Sequence, residues 1–99
     1  MNKQQVANLL GLAQRAGRII SGEELVVKVI QEGKAKLVFL ANDAAPNLSK
    51  KIKDKSLYYQ VDVSTVFSTL ELSSAIGKAR KVLAVTDAGF TKKMRSIMQ

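Results

Sequence analysis

Five apolar residues in succession, Leu37 to Ala41, end at the polar pair Asn42-Asp43, and Pro46 follows shortly after. An apolar run this short suits a strand buried on both faces, because a half-exposed strand would alternate and a buried helix would run longer. Pro46 lacks an amide hydrogen and has its φ already near the helical value, so it fits the first turn of a helix that starts there. A second run, Val82-Leu83-Ala84-Val85, repeats the pattern, and Asp87 behind it can cap a last helix with Phe90, Met94, Ile97 and Met98 inside. Strands buried on both faces need helices on both sides.

The remaining spacings supply those helices. Val6, Leu9, Leu10, Ala13 and Ala16 recur at helical intervals, and Gly17 stands where a left-handed cap would fall. Ile19 and Ile20 make a short strand. Ser21 and Glu24 then have capping-box spacing ahead of a second helix whose apolar face uses Leu25, Val26, Val29 and Ile30 and which Gly33 ends. The third helix runs from Pro46 towards Tyr58 with Leu48 and Ile52 inward, and Tyr58 and Tyr59 are expected in core or helix-end packing. Val61, Val63 and Val66 suggest another strand. Ser68 and Glu71 repeat the capping-box spacing, so a fourth helix covers Thr69 to Ile76 and stops at Gly77, with Lys78, Ala79 and Arg80 as loop. The alternation predicts an α/β fold, a three-layer α/β/α sandwich. If the strands share one sheet, the chain breaks around Ser21, around Asn42 to Pro46 and around Gly77 to Arg80 meet at one end, where ligands of open α/β sheets bind.

At 99 residues the chain is expected to be one domain, residues 1–99. Sixteen Lys plus Arg against eight Asp plus Glu leave a net charge of +8, which points to a polyanion: RNA, DNA or an anionic membrane. The alternative is a basic surface kept for solubility, but the charges cluster, as at Lys50, Lys51, Lys53 and Lys55. With no Cys and no His, the chain lacks disulfides, thiolate nucleophiles, zinc-finger ligands and the commonest general base, so neither a catalytic centre nor a metal or cofactor is expected. No stretch approaches the roughly 18 apolar residues of a membrane span. The start, Met1-Asn2-Lys3-Gln4-Gln5, has no apolar run leading to a cleavage site, so a cytoplasmic location is expected.

Several segments in order carry a family likeness: Leu-Gly-Leu-Ala-Gln-Arg-Ala-Gly-Arg near the start, Ser21-Gly22-Glu23-Glu24-Leu25-Val26-Val27-Lys28, the stretch from Gly33 to Pro46, Glu71-Leu72 with Ala75-Ile76-Gly77, and Val82 to Asp87. Together they cover nearly the whole chain. It resembles the kink-turn RNA-binding family of ribosomal proteins L7Ae and L30e, and within it a bacterial member. The resemblance implies a sandwich with a small mixed sheet that grips a sharply bent RNA helix through the start of the second helix and two neighbouring loops, without enzyme activity. In the family, the glycine matching Gly22 lets RNA approach the backbone, and the lysine matching Lys28 lies a turn further along the same helix face. Many relatives place polar pairs at the positions of Glu24 and Leu25 that read sheared guanine-adenine pairs. Here an ionised Glu24 only accepts and Leu25 offers nothing, so base reading must weaken or pass to neighbours such as Glu23 and the helix-start amides.

The candidate RNA-binding residues are therefore Gly22, Glu23, Glu24, Lys28, Asn42, Asp43, Lys50, Lys78 and Arg80. Each has a plainer alternative. Gly22 can be a tolerated first-turn glycine. Asn42 and Asp43 can be turn residues or caps of the third helix. Lys50, Lys51, Lys53 and Lys55 can be a solvated helix face. Lys28, on an otherwise apolar helix, is the better phosphate candidate. Lys92, Lys93 and Arg95 form a second basic cluster, read as an exposed face or as a contact to membrane or a distant RNA segment. The expected function is noncatalytic recognition of kink-turn or similarly bent RNA, in ribosomal RNA or another ribonucleoprotein RNA, by a monomer without cofactor or membrane partner. The alternatives are an RNA-recognition accessory or fragment of an RNA-modifying enzyme, and a protein-interaction scaffold on the ribosome.

Overall fold

The computed structural model describes residues 1–99 as α1 (Lys3–Arg15), β1 (Ile19–Ser21), α2 (Glu23–Gln31), β2 (Leu37–Leu40), α3 (Pro46–Tyr58), β3 (Val63–Ser64), α4 (Thr69–Ile76), β4 (Val82–Val85) and α5 (Ala88–Met98). The two apolar runs form the middle of the sheet, whose order is β1-β4-β2-β3. β4 is antiparallel to both β1 and β2, and β3 is parallel to β2, so the sheet is mixed. β3 is shorter than the valine spacing predicts. Only Val63 and Ser64 pair with β2, while Val61 and Val66 pack partly buried outside the ladder.

Alternation along the strands divides the core into two layers, because successive side chains leave opposite faces of a sheet. Leu37, Phe39, Ala41, Leu83 and Val85 face a cluster with Val6, Leu9, Leu10 and Ala13 of α1, Leu72 and Ile76 of α4, and Met94 of α5. Val38, Leu40, Val82 and Ala84 face Val26, Val29 and Ile30 of α2 and Ile52 of α3. The result is the expected α/β/α sandwich. Each large side chain in it, such as Phe39 or Leu83, contributes about 1.5–3 kcal/mol of transfer free energy. α1 and α4 pack closely because Gly11 has no side chain: a Cβ there would lie 3.1 Å from the Ala75 carbonyl oxygen.

Most element ends follow the local signals. Pro46 occupies the first turn of α3, the Asp87 carboxylate accepts from the Phe90 amide at 2.8 Å, and Ser68 with Glu71 forms the full capping box of α4. The Ser21–Glu24 box does not form. Ser21 remains in the ladder opposite Leu83, and the turn into α2 falls one residue later, at Gly22.

Candidate nucleic-acid interface

Gly22 is the N-cap of α2 with φ +98° and ψ 149°, a conformation open almost only to glycine. Its amide donates to the Val82 carbonyl at 3.0 Å and its carbonyl accepts from the Val26 amide at 3.0 Å. Backbone geometry therefore requires a glycine here whatever binds. The amides at the start of α2, on Glu23, Glu24 and Leu25, have no intrahelical carbonyl to bind, and no side chain caps the helix in its place.

The three chain breaks meet at this end of the sheet. Nε of Arg80 donates to the Ser21 hydroxyl at 3.1 Å, the Ala41 amide donates to the Lys81 carbonyl at 2.8 Å, and the Asn42 amide donates to the Phe67 carbonyl at 2.9 Å. Arg80 is held from several sides. The Ser73 hydroxyl accepts from its amide at 3.1 Å and donates to its carbonyl at 3.2 Å, while Nη1 donates to the Ala79 carbonyl at 2.8 Å. Nη2 keeps its donors free, and the guanidinium lies beside Gly22, where a Cβ would come 3.9 Å from Nε. No local pattern announces Ser73, because its partner lies beyond the helix stop.

Glu23 accepts from Nζ of Lys51 at 2.9 Å, which links α3 to the first turn of α2. Such an exposed pair adds little stability. It does identify Lys51 as the α3 lysine that reaches the site. Lys50, one residue earlier, pairs with Asp54 at 2.7 Å, and that hydrogen bond, followed by the Asp54 charge, raises its pKa. Glu24 and Lys28 are exposed at i, i+4 on α2. Leu25, expected in the core, is 55% exposed because it sits at the edge of the buried arc formed by Val26, Val29 and Ile30.

Asn42 and Asp43 do not cap α3, whose N-cap is Ala45 without a side-chain bond. Oδ1 of Asp43 instead accepts from the Thr69 hydroxyl at 2.6 Å and the Thr69 amide at 2.9 Å, fastening the loop after β2 to the start of α4. The hydroxyl bond, then the amide bond, holds the Asp43 carboxyl below its usual range. Asn42 and Lys78 are exposed on the two loops. Arg95 is directed elsewhere: it pairs with Asp62 and donates to the Lys36 carbonyl at 3.3 Å, next to the first residue of β2 and so at the opposite end of the sheet. Tyr58 and Tyr59 are not core: they are 78% and 40% exposed. No three His, Cys, Asp or Glu side chains cluster as a metal site would require, and no helix is long and apolar enough to cross a membrane.

The Ribosomal protein L7Ae/L30e/S12e/Gadd45 family matches residues 4–95. The RNA-binding protein YlxQ of Enterococcus faecium is 50% identical over 98 residues, 99% of this chain and 95% of that one. The RNA-binding protein YlxQ of Bacillus subtilis strain 168 is 50% identical over 91 residues, 91% of each chain. A solved structure of a Bacillus halodurans C protein of unknown function superposes with a TM-score of 0.90 at 43% identity, over 95% of this chain and 96% of that one. The chain belongs to this ribosomal-protein family and is YlxQ-like within it.

Proposed function

We propose that this family member is a noncatalytic RNA-binding protein that recognises a kink-turn or similarly bent structured RNA, in ribosomal RNA or another ribonucleoprotein RNA. It acts as a cytoplasmic monomer. The carrying observation is the meeting of Gly22, the uncapped start of α2, Arg80 and Lys51 at one end of the sheet. The names of the YlxQ relatives supply independent support.

The surface sorts RNA chemistry by charge. Lys28, Lys51, Lys78 and the free Nη2 of Arg80 take phosphate oxygens, and these contacts carry most of the affinity. The carboxylates of Glu23 and Glu24 repel phosphate and accept from guanine amino or imino groups, which directs base edges, rather than backbone, to the first turn of α2. The bare backbone at Gly22 permits close approach. Crosslinking the protein to RNA in cells and sequencing the fragments tests this function. Crosslinks concentrated at sharply bent helices are expected, and crosslinks spread evenly over RNA would contradict it.

A further inference from the structure

Leu57 and Tyr58 at the end of α3 and Tyr59, its C-cap, are 81%, 78% and 40% exposed, a patch of large side chains that no other element covers. The two rings meet edge to face, with centroids 4.8 Å apart at 73°. The helix end beneath them is fixed by three backbone bonds, from Tyr59 to Lys55 at 3.0 Å, Gln60 to Leu57 at 3.2 Å and Val61 to Ser56 at 2.8 Å. A shallow cleft of about 550 Å³ is lined by Lys51, Asp54, Lys55, Tyr58 and Tyr59. Lys51, Lys55 and Tyr58 follow one stripe of the helix, and Lys51 is the residue joined to Glu23.

We propose that Tyr58 and Tyr59, with Lys55 and Lys51, form a stacking platform for a single-stranded RNA segment that continues from the interface at the start of α2. Exposed aromatic rings beside cations are what bases and their connecting phosphates need: an edge-to-face pair covers one face of one ring and leaves the rest open to a base of any sequence, and the charges hold the backbone. Asp54, the one acid in the cleft, is already occupied by Lys50. The carbonyl end of α3 carries partial negative charge, which places bases rather than phosphates at the rings and leaves phosphates to the lysines a turn or two earlier. The choice of RNA and the continuity rest on the proposed function. The stacking chemistry does not.

The chain has no Trp and two Tyr, both in this patch, so its intrinsic tyrosine emission reports on the platform alone. The test titrates the full chain with an unstructured oligouridylate of about eight nucleotides, within the usual site size of such surfaces. Saturable quenching is expected, and Tyr58→Ala should weaken oligonucleotide binding at least about fivefold, the low end for one lost base stack. Tyr58→Phe, which keeps the ring, should bind like wild type. Unmoved emission, or a Tyr58→Ala variant that binds as tightly as wild type, would overturn the platform. Quenching that rises with protein concentration without RNA would also overturn it, in favour of contact between copies of the chain. A kink-turn duplex without single-stranded ends separates the two proposals: Tyr58→Ala leaves its affinity unchanged, and its failure to bind wild type counts against the proposed function only.

Discussion

Arg80 donates from Nε to the hydroxyl of Ser21 at 3.1 Å, joining the loop after α4 to the last residue of β1. This bond sets a guanidinium beside the glycine that opens α2, and it engages a serine that strand pairing already keeps out of the helix start. Fold and candidate site thus share residues, so each variant needs stability and RNA affinity measured together.

Gly22→Ala places a Cβ on a residue at φ +98°. Nothing crowds it, with its nearest neighbour at 3.9 Å, so the cost is backbone strain of about 1–3 kcal/mol. Chemical denaturation should show that loss without any RNA present. An unchanged midpoint would mean that the turn relaxes and that the glycine serves RNA approach alone.

Lys28→Ala should leave stability within about 0.5 kcal/mol, because the side chain is exposed and has no ion-pair partner. RNA affinity should fall, and the slope of log affinity against log salt should become shallower by about 0.9, the duplex value for one phosphate. Titrations at several salt concentrations check both. Undiminished affinity would return Lys28 to the solvated face.

Glu24→Asn with Leu25→Glu places a polar pair where the family resemblance implies one. Glu24 makes no cap and Leu25 is 55% exposed, so the double variant should keep its stability. Kink-turn RNA should bind more tightly, by up to about 1–3 kcal/mol if the new groups reach base edges as bidentate contacts do in DNA. A folded variant with equal or weaker affinity would move the reading surface away from α2.

Acid should loosen the joint between the β2–α3 loop and α4. Asp43 has a lowered pKa in the folded chain, first from the Thr69 hydroxyl and then from the Thr69 amide, so its contribution is whole above the ordinary carboxylate range and is lost as pH falls below it. Asp43→Asn should be less stable than wild type near neutrality, and the gap should close in acid. Glu71, whose pKa is lowered first by the Ser68 amide and then by Lys3, titrates in both proteins and cancels from the difference. A gap independent of pH would show that the charge of Asp43 is not what holds Thr69.

Local periodicity made the framework legible. Doubly buried runs at Leu37–Leu40 and Val82–Val85, Pro46 at the start of α3 and the Ser68–Glu71 box each depend on neighbours a few residues away. The misreadings depend on distant partners. Ser21 serves Arg80, 59 residues on, and Asp43 serves Thr69, 26 residues on. The apolar character of Leu25 suggests the core but says nothing about whether another element covers that side of the helix, and for Tyr58, which ends α3, it leaves core and helix-end positions undivided. Among the candidate residues, the convergence of Gly22 and Arg80 could be expected from strand topology, but which of Lys50 and Lys51 pairs with Glu23 depends on the rotation of α3.

The most direct measurement compares the dissociation constant for a kink-turn RNA with that for a duplex of the same length whose bend is replaced by continuous Watson–Crick pairs, each over a range of salt. We predict that the bend favours binding by at least about tenfold, or roughly 1.4 kcal/mol. The salt slope should be about −3 to −4.5, as expected if about three to five phosphates are neutralised. Equal affinity for the two RNAs, or a slope near zero, would contradict recognition of bent RNA at this surface.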